Sequence, residues 1–278
     1  MNAKGLLALV VVTVVGCGNA DEQLGAEGEA AKPSELDSSA EELSSDEGDY
    51  YNCFAGSGCA SPALSTSTRC LKGRDYKVTV NDAQSDVVVL SIHGGLIEPN
   101  SSELAQAISS KLHYSLYDFA AHGTAACLGT LNDFNRLHIT AANFDDPTAV
   151  RLVGRHKKAV AIHGYNDSRG NDPGTLCVGG SNAKLVQAFI AAVNQRKSRF
   201  TLYSLRPIDA ATATASRGAD CTGITGTARA NLVNRTLDGA GGLQLEMSDA
   251  IKADLLNPST RYDALRTVFY GALSAAMN

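Results

Sequence analysis

Two apolar runs in this chain end in histidine followed by glycine, and together they constrain the fold more than any other feature. Val87-Val88-Val89-Leu90-Ser91-Ile92 runs into His93-Gly94-Gly95, and Ala159-Val160-Ala161-Ile162 runs into His163-Gly164. Short β-branched stretches bounded by glycine read as buried strands. The glycines after His93 let the backbone turn sharply, because glycine adopts φ > 0 without a steric penalty. That turn is expected to bring Glu98 back beside His93. Imidazole and carboxylate at the carboxyl end of a strand begin a catalytic zinc site, which takes three protein ligands and keeps one position open. His163 is the leading candidate for the third ligand. His138, in Leu137-His138-Ile139-Thr140, competes with it and otherwise lines the site.

The rest of the chain supplies elements around these strands. Residues 75–80 alternate polar and apolar, as in a half-exposed strand. Ser101 or Ser102 is placed to cap a helix that carries Leu104, Ala107, Ile108 and Leu112 on one face. Residues 137–140, 158–163, 200–203, 230–234 and 242–247 read as strands. Residues 182–196 and 261–277 read as amphipathic helices. The polar, glycine-rich stretch 164–180 reads as a long loop, the kind that often carries function, and the Ala/Thr/Gly-rich stretch 206–226 as a long loop or short elements. Strands alternating with helices predict a single α/β domain, with a mixed, mostly parallel sheet covered by helices on both faces. Ligand sites in such sheets lie at the carboxyl ends of strands, where His93, His163 and Glu246 all fall.

The amino-terminal part is not expected to join that domain. Lys4, the apolar stretch 6–15 and Gly16-Cys17 form an export signal too short to span a membrane as a mature helix. Val14-Val15-Gly16-Cys17 resembles a bacterial lipobox, which would make Cys17 the lipidated first residue of the mature protein; the alternative is an ordinary signal peptide cleaved near Ala20. Residues 18–50 read as a disordered acidic tether, poor in residues that could offset ordering entropy. The tether distorts the charge balance. The chain carries a net −5, but residues 21–50 hold eleven acids and one base, so residues 51–278 carry about +4. A mildly basic domain suits an anionic partner, though net charge bears on association and not on chemistry. Besides Cys17 there are six cysteines: 53, 59, 70, 127, 177 and 221. An even number behind an export signal implies disulfides, whose pairing sequence does not choose. A bridge among Cys53, Cys59 and Cys70 would tie the amino-terminal arm to the core.

Taken in order, a set of short motifs is recognisable. It comprises Ile92-His93-Gly94-Gly95-Leu96-Ile97-Glu98-Pro99 with Ser102-Glu103-Leu104, then Leu137-His138-Ile139-Thr140 with Phe144-Asp145-Asp146-Pro147. Ile162-His163-Gly164 with Val178-Gly179-Gly180, Asn234-Arg235, and Gly242-Leu243-Gln244-Leu245-Glu246 complete it. The set resembles the poly-γ-glutamate hydrolases, phage and bacterial zinc peptidases related in fold to the zinc carboxypeptidases. The resemblance implies Zn²⁺ held by His93, Glu98 and His163, with Glu246 as general base. It also implies that Arg235 neutralises a substrate carboxylate with Asn234 hydrogen-bonding beside it. The spacing here is His-x4-Glu, against the His-x-x-Glu typical of carboxypeptidases.

Two other hydrolase classes are excluded by missing motifs. No H-E-x-x-H is present, and no G-x-S-x-G elbow. With the export signal, the resemblance implies an exported zinc hydrolase of γ-glutamyl amide bonds, lipid-anchored at the bacterial cell envelope (outer membrane or cell surface) or secreted. The substrate would be poly-γ-glutamate or another γ-glutamyl bond, such as one in a peptidoglycan stem peptide; nucleic acid is not an expected partner. A surface binding module of the same fold is the competing class.

Overall fold

The structure, a computed structural model, describes residue 70 and residues 72–128, 132–165 and 169–278. The leader with Cys17, the acidic tether, Cys53 and Cys59 lie outside the described residues.

A seven-stranded sheet forms the centre. Its spatial order is β1 (Tyr76–Asn81), β3 (Ser115–Ala121), β2 (Val87–Gly95), β4 (Lys158–Gly164), β7 (Leu243–Met247), β5 (Thr175–Gly179) and β6 (Arg206–Asp209). Strands β3, β2, β4 and β7 run parallel. β1 is antiparallel to β3, and β5 is antiparallel to β7 with β6 parallel beside it. The expected mixed, mostly parallel sheet is therefore present.

Alternation along the central strands feeds two cores. Val87, Val89, Val160, Ile162, Leu243 and Leu245 pack into one cluster. Helices α1 (Ser101–Leu112), α5 (Ala183–Arg196), α6 (Asp249–Leu256) and α7 (Asp263–Met277) cover that face. Val88, Leu90, Ile92, Ala159 and Ala161 pack into the other cluster, beneath α4 (Pro147–Arg155) and the short α3 (Asp133–Leu137). Each fully buried Val, Leu or Ile contributes roughly 1.5–3 kcal/mol, so burial on both faces explains why these runs carry no polar alternation. Asp146 caps α4, accepting from Thr148 N at 2.7 Å and Ala149 N at 3.2 Å, with Pro147 at the first helical position.

Several predicted elements are different in the structure. Residues 137–140 are not a sheet strand, because Leu137 closes α3 and the chain then passes extended beneath the core. Residues 200–203 follow a 3₁₀ turn (Lys197–Arg199); Phe200 is buried against Tyr203, so the aromatics plug the core instead of pairing. Residues 230–234 are capped by Asn231 and turn as 3₁₀ over Leu232–Asn234, since the Asn231 side chain takes the Val233 amide that a strand would have used. The stretch 164–180, read as a loop, contains β5, while β6 is one of the short elements allowed for 206–226.

Two disulfides among the described residues fasten this frame. Cys70–Cys127 joins the arm before β1 to the short helix α2 (Ala125–Leu128). Cys177–Cys221 joins β5 to the segment after β6. No helix among the described residues is long and apolar enough to cross a membrane.

Candidate metal centre

The turn after β2 closes as its glycines suggest. Gly95 has φ +66°, and Glu98 N donates to His93 O at 2.8 Å, which folds the carboxylate back onto the imidazole. Strict alternation would send His93 to the face of Val87 and Val89. The β2–β3 register shifts between Ser91 and Gly94, however, and such irregularities re-aim side chains. His163 comes from β4, and Glu246 lies directly opposite it on β7.

Three buried donors then converge. His93 Nδ1 lies 2.8 Å from Glu98 Oε1 and 3.0 Å from His163 Nδ1, which is 3.6 Å from Glu98 Oε2. His93 Nε2 lies 2.7 Å from Ile139 O. A carbonyl only accepts, so Nε2 carries the proton and Nδ1 presents its lone pair inward. That lone pair faces a carboxylate oxygen, so a proton or a cation has to stand between them. Donors around a tetrahedral zinc at about 2.0–2.2 Å stand roughly 3.3 Å apart, and the observed spacings bracket that value. The group fits a metal ion by donor type, burial and spacing, with all three donor atoms within 4.8 Å of one another.

The neighbours hold the ligands in place. Glu98 Oε2 accepts from Gly164 N at 2.7 Å. Burial alone would raise the Glu98 carboxyl, but His93 and His163 outweigh it and hold it well below the usual carboxylate range. Burial disfavours the His163 imidazolium, yet Glu98 and Glu246 carry its pKa upward. Beneath them lies Lys252, fully buried, with Nζ 3.0 Å from Ser101 Oγ and 3.0 Å from Asp249 Oδ1. Gly164 makes room for it, since a Cβ there would come within 2.5 Å of Nζ.

His138 is outside the ligand triad. Its ring stacks on His93 at 4.0 Å and under Phe134 at 4.5 Å, and its Nε2 stays 3.9 Å from Glu98 Oε1. Burial and the neighbouring His93 push its pKa down to about 3, which keeps it neutral. Residues 138 and 139 thus brace His93 from two sides, by ring stacking and by the Ile139 carbonyl.

Glu246 is buried beside the triad. It alternates with Gln244 on one face of β7, and that face turns inward, not to solvent. Gln244 Nε2 donates to Glu246 Oε1 at 2.8 Å, and Gln244 Oε1 accepts from Asn231 Nδ2 at 2.8 Å. Burial raises the Glu246 pKa to about 7; the Glu98 charge adds to this and His163 opposes it. A carboxylate poised near neutrality beside a metal centre suits proton transfer. His93, Glu98, His138, His163 and Glu246 all line one open cleft of about 700 Å³.

Asn234 and Arg235 are placed differently from the expectation. Asn234 Nδ2 donates to Gly226 O and Ala228 O, and its Oδ1 accepts from Ser181 N and Gly242 N. Arg235 Nε donates to Ala230 O, while Nη2 donates to Ala230 O and Ala142 O. Both side chains are occupied with loop backbone, and neither is among the residues lining the cleft. Sequence reasoning missed Arg169, Asn231 and Tyr165, which do line it. The Asn231 signal was present in the Asn preceding Leu232-Val233-Asn234. Arg169 sits in a stretch without periodicity and left no signal.

The poly-gamma-glutamate hydrolase family profile matches residues 64–271. The chain belongs to that family. Like the site described above, the family match points to a buried group able to hold a metal. The SPbeta prophage-derived UPF0714 protein YoqZ of Bacillus subtilis (strain 168) is 30% identical over 198 residues, 70% of this chain and 62% of that protein. The chain spans between about a third and two thirds of the length of the curated relatives it matches. A bacteriophage poly-gamma-glutamate hydrolase structure superposes with a TM-score of 0.52 at 25% identity, covering 73% of this chain and 89% of that one. A structure described as zinc-free YNDL superposes with a TM-score of 0.54 at 25% identity, covering 72% and 90%.

Proposed function

We propose that this family member is a zinc-dependent hydrolase of γ-glutamyl amide bonds, with poly-γ-glutamate as the leading substrate. The observation that carries the reading is the convergence of His93, Glu98 and His163 with buried Glu246 in a single cleft. Two imidazoles and one carboxylate match the donor set of catalytic zinc sites. The relatives whose descriptions mention poly-gamma-glutamate and zinc support the same assignment.

When bound, the metal supplies a Lewis acid that polarises a carbonyl and acidifies water. The residues of the chain do the rest. Glu246 takes a proton from the attacking water at Oε2, because Oε1 already accepts from Gln244. It then returns that proton to the leaving amine. Asn231 and Gln244 fix the carboxylate's orientation through their relay. His138, neutral and stacked on His93, holds that ligand's ring and lines the cleft.

Export and lipid anchoring at Cys17 belong to the same proposal and rest on the amino-terminal sequence alone. A polyanionic substrate outside the cell suits a mildly basic domain behind an acidic tether.

The test is metal content and γ-glutamyl hydrolysis, measured together on the full chain beside His93→Ala. One zinc per chain and cleavage of the polymer, both lost in the variant, are expected. Zinc without cleavage of any γ-glutamyl substrate overturns the substrate class and keeps the site. Protein that binds no metal when supplied with zinc overturns the enzyme reading.

A further inference from the structure

Arg169 is the only lysine or arginine among the described residues that line the cleft. It is also held by an unusual amount of local structure. Nη1 donates to Thr222 O at 2.9 Å and lies 3.8 Å from Asp220 Oδ1. Two residues on, Asn171 Nδ2 donates to Asp220 O while Asn171 Oδ1 accepts from Asp220 N. Asp220 and Thr222 flank Cys221, which is bonded to Cys177. Cys177 stands directly opposite Glu246 in the antiparallel β5–β7 pair, so the two side chains share a face of the sheet. A short covalent and hydrogen-bonded path therefore runs from the strand of the candidate base to the guanidinium.

The guanidinium is not used up by these contacts. Asp220 Oδ1 is already satisfied by Thr222 N at 2.9 Å and Thr222 Oγ1 at 2.6 Å, which leaves the ion pair long. Nε and Nη2 meet no acceptor among the described residues. Two parallel N–H donors on one edge of a guanidinium are the geometry that takes a carboxylate bidentately. Arg235 cannot offer that edge, because its Nε and Nη2 are bonded to loop carbonyls.

We propose that Arg169, positioned by the Cys177–Cys221 disulfide, is the specificity residue that binds the free carboxylate on the leaving side of the scissile bond. The inference rests on the γ-glutamyl reading above. In a γ-linked chain the carboxylate of the leaving residue is attached to the carbon next to the departing nitrogen. Glu246 delivers a proton to that nitrogen, and Arg169 lies close enough for its charge to bear on Glu246. In an α-linked chain the leaving residue carries its carboxylate at the end of the side chain, two carbons further out. Arg169 thereby selects γ-linked over α-linked glutamate.

The test is steady-state kinetics on γ-glutamyl oligomers with free α-carboxyls and on the same oligomers with α-carboxamides. Wild type is expected to favour the free acids. Arg169→Gln is expected to raise KM for them about tenfold to a hundredfold, the range for a lost hydrogen bond to a charged group. kcat should stay within about threefold, and the preference over the amides should vanish. Arg169→Lys restores part of that preference. The Cys177→Ser/Cys221→Ser pair is expected to raise KM in the wild-type background and add nothing to Arg169→Gln. Unchanged KM and preference in Arg169→Gln overturn the assignment, as does loss of the preference in Arg235→Gln alone. Additive effects overturn the positioning role of the disulfide. If wild type cleaves no γ-glutamyl substrate, the functional reading falls first and this inference with it.

Discussion

The Nδ1 atoms of His93 and His163 lie 3.0 Å apart, brought together from β2 and β4 across 70 residues of sequence. With the Ile139 carbonyl holding the His93 proton at Nε2, the inner space between them and Glu98 can hold a cation. Two consequences follow for the metal-free protein: it keeps a proton there, and it gives that proton up when metal enters.

Metal binding should therefore stabilise the fold. An ion at a thousandfold excess over its Kd adds about 4 kcal/mol. For a domain of this size that is roughly 8–16 °C in Tm, at about 2–4 °C per kcal/mol. Chelation followed by thermal melting is expected to lower Tm by this amount, and added zinc to restore it. His163→Ala should melt at one temperature with or without chelator. Metal affinity should also weaken as pH falls, because protons and metal compete for the same donors.

Glu246→Gln keeps the shape of the proposed base and removes its proton chemistry. Turnover is expected to fall about 10²- to 10⁴-fold, the usual contribution of a general base, while metal content stays near that of wild type. The pH dependence of stability gives a second readout. The Glu246 pKa is raised to about 7 from the ordinary glutamate value of about 4.5, so the folded metal-free protein holds a proton that the unfolded chain has already released. Stability from this group is present below 4.5 and is lost as pH rises through about 7. Melting of chelated wild type from pH 4.5 to 7.5 should show that loss, and Glu246→Gln should not.

How much of this was legible depends on which force placed each residue. His93 and His163 stood at the ends of strong apolar runs, and strand ends are where a parallel sheet exposes side chains, so periodicity found them; Glu98 followed from the glycine turn after His93, and Glu246, at the end of an expected strand, took its role from the family resemblance. The strand β3 was hidden because Asp118 interrupts it; the structure buries that acid and satisfies it with Ser102 at 2.6 Å and Gln106 at 2.8 Å. Asn234 and Arg235 look like a recognition pair in sequence because both carry polar heads. Only tertiary contacts show those heads turned to loop carbonyls. Arg169 owes its place to a disulfide and to a loop 50 residues away, and no local pattern encodes either.

The turn between His93 and Glu98 is tight enough to be tested by a single methyl. A Cβ on Gly94 would collide with Ser102 Oγ, whose hydrogen bond to Asp118 fixes its position. A Cβ on Gly95 would meet Ala121 O, at a φ of +66° that side chains rarely adopt. Overpacking of this kind costs about 1–3 kcal/mol, and strain at positive φ adds roughly 1 kcal/mol or more. Gly95→Ala is expected to lower Tm more than Gly154→Ala, where the nearest atom is 3.9 Å away. It should also weaken metal binding, because Glu98 reaches His93 only through this turn. Parallel melting and zinc titration of the two variants check both effects.

Asn234 and Asn231 lie three residues apart and are predicted to fail in different ways. Asn234 satisfies two carbonyls and two amides at the junction of the loop before it with Ser181 and Gly242. Asn234→Ala leaves buried groups unsatisfied at about 1–3 kcal/mol each, so the expected result is a large drop in Tm with KM near wild type in whatever protein remains folded. Asn231 also caps its 3₁₀ turn, but its Nδ2 feeds the relay to Gln244 and Glu246. Asn231→Asp keeps an acceptor for the Val233 amide and removes the donor to Gln244. Free to turn, Gln244 no longer holds Glu246 Oε1, and the carboxylate loses one of the contacts that favour its ionised form. Asn231→Asp should therefore move the acidic limb of the kcat profile to higher pH with little change in KM. A shift in KM without movement of that limb would instead place Asn231 against the substrate.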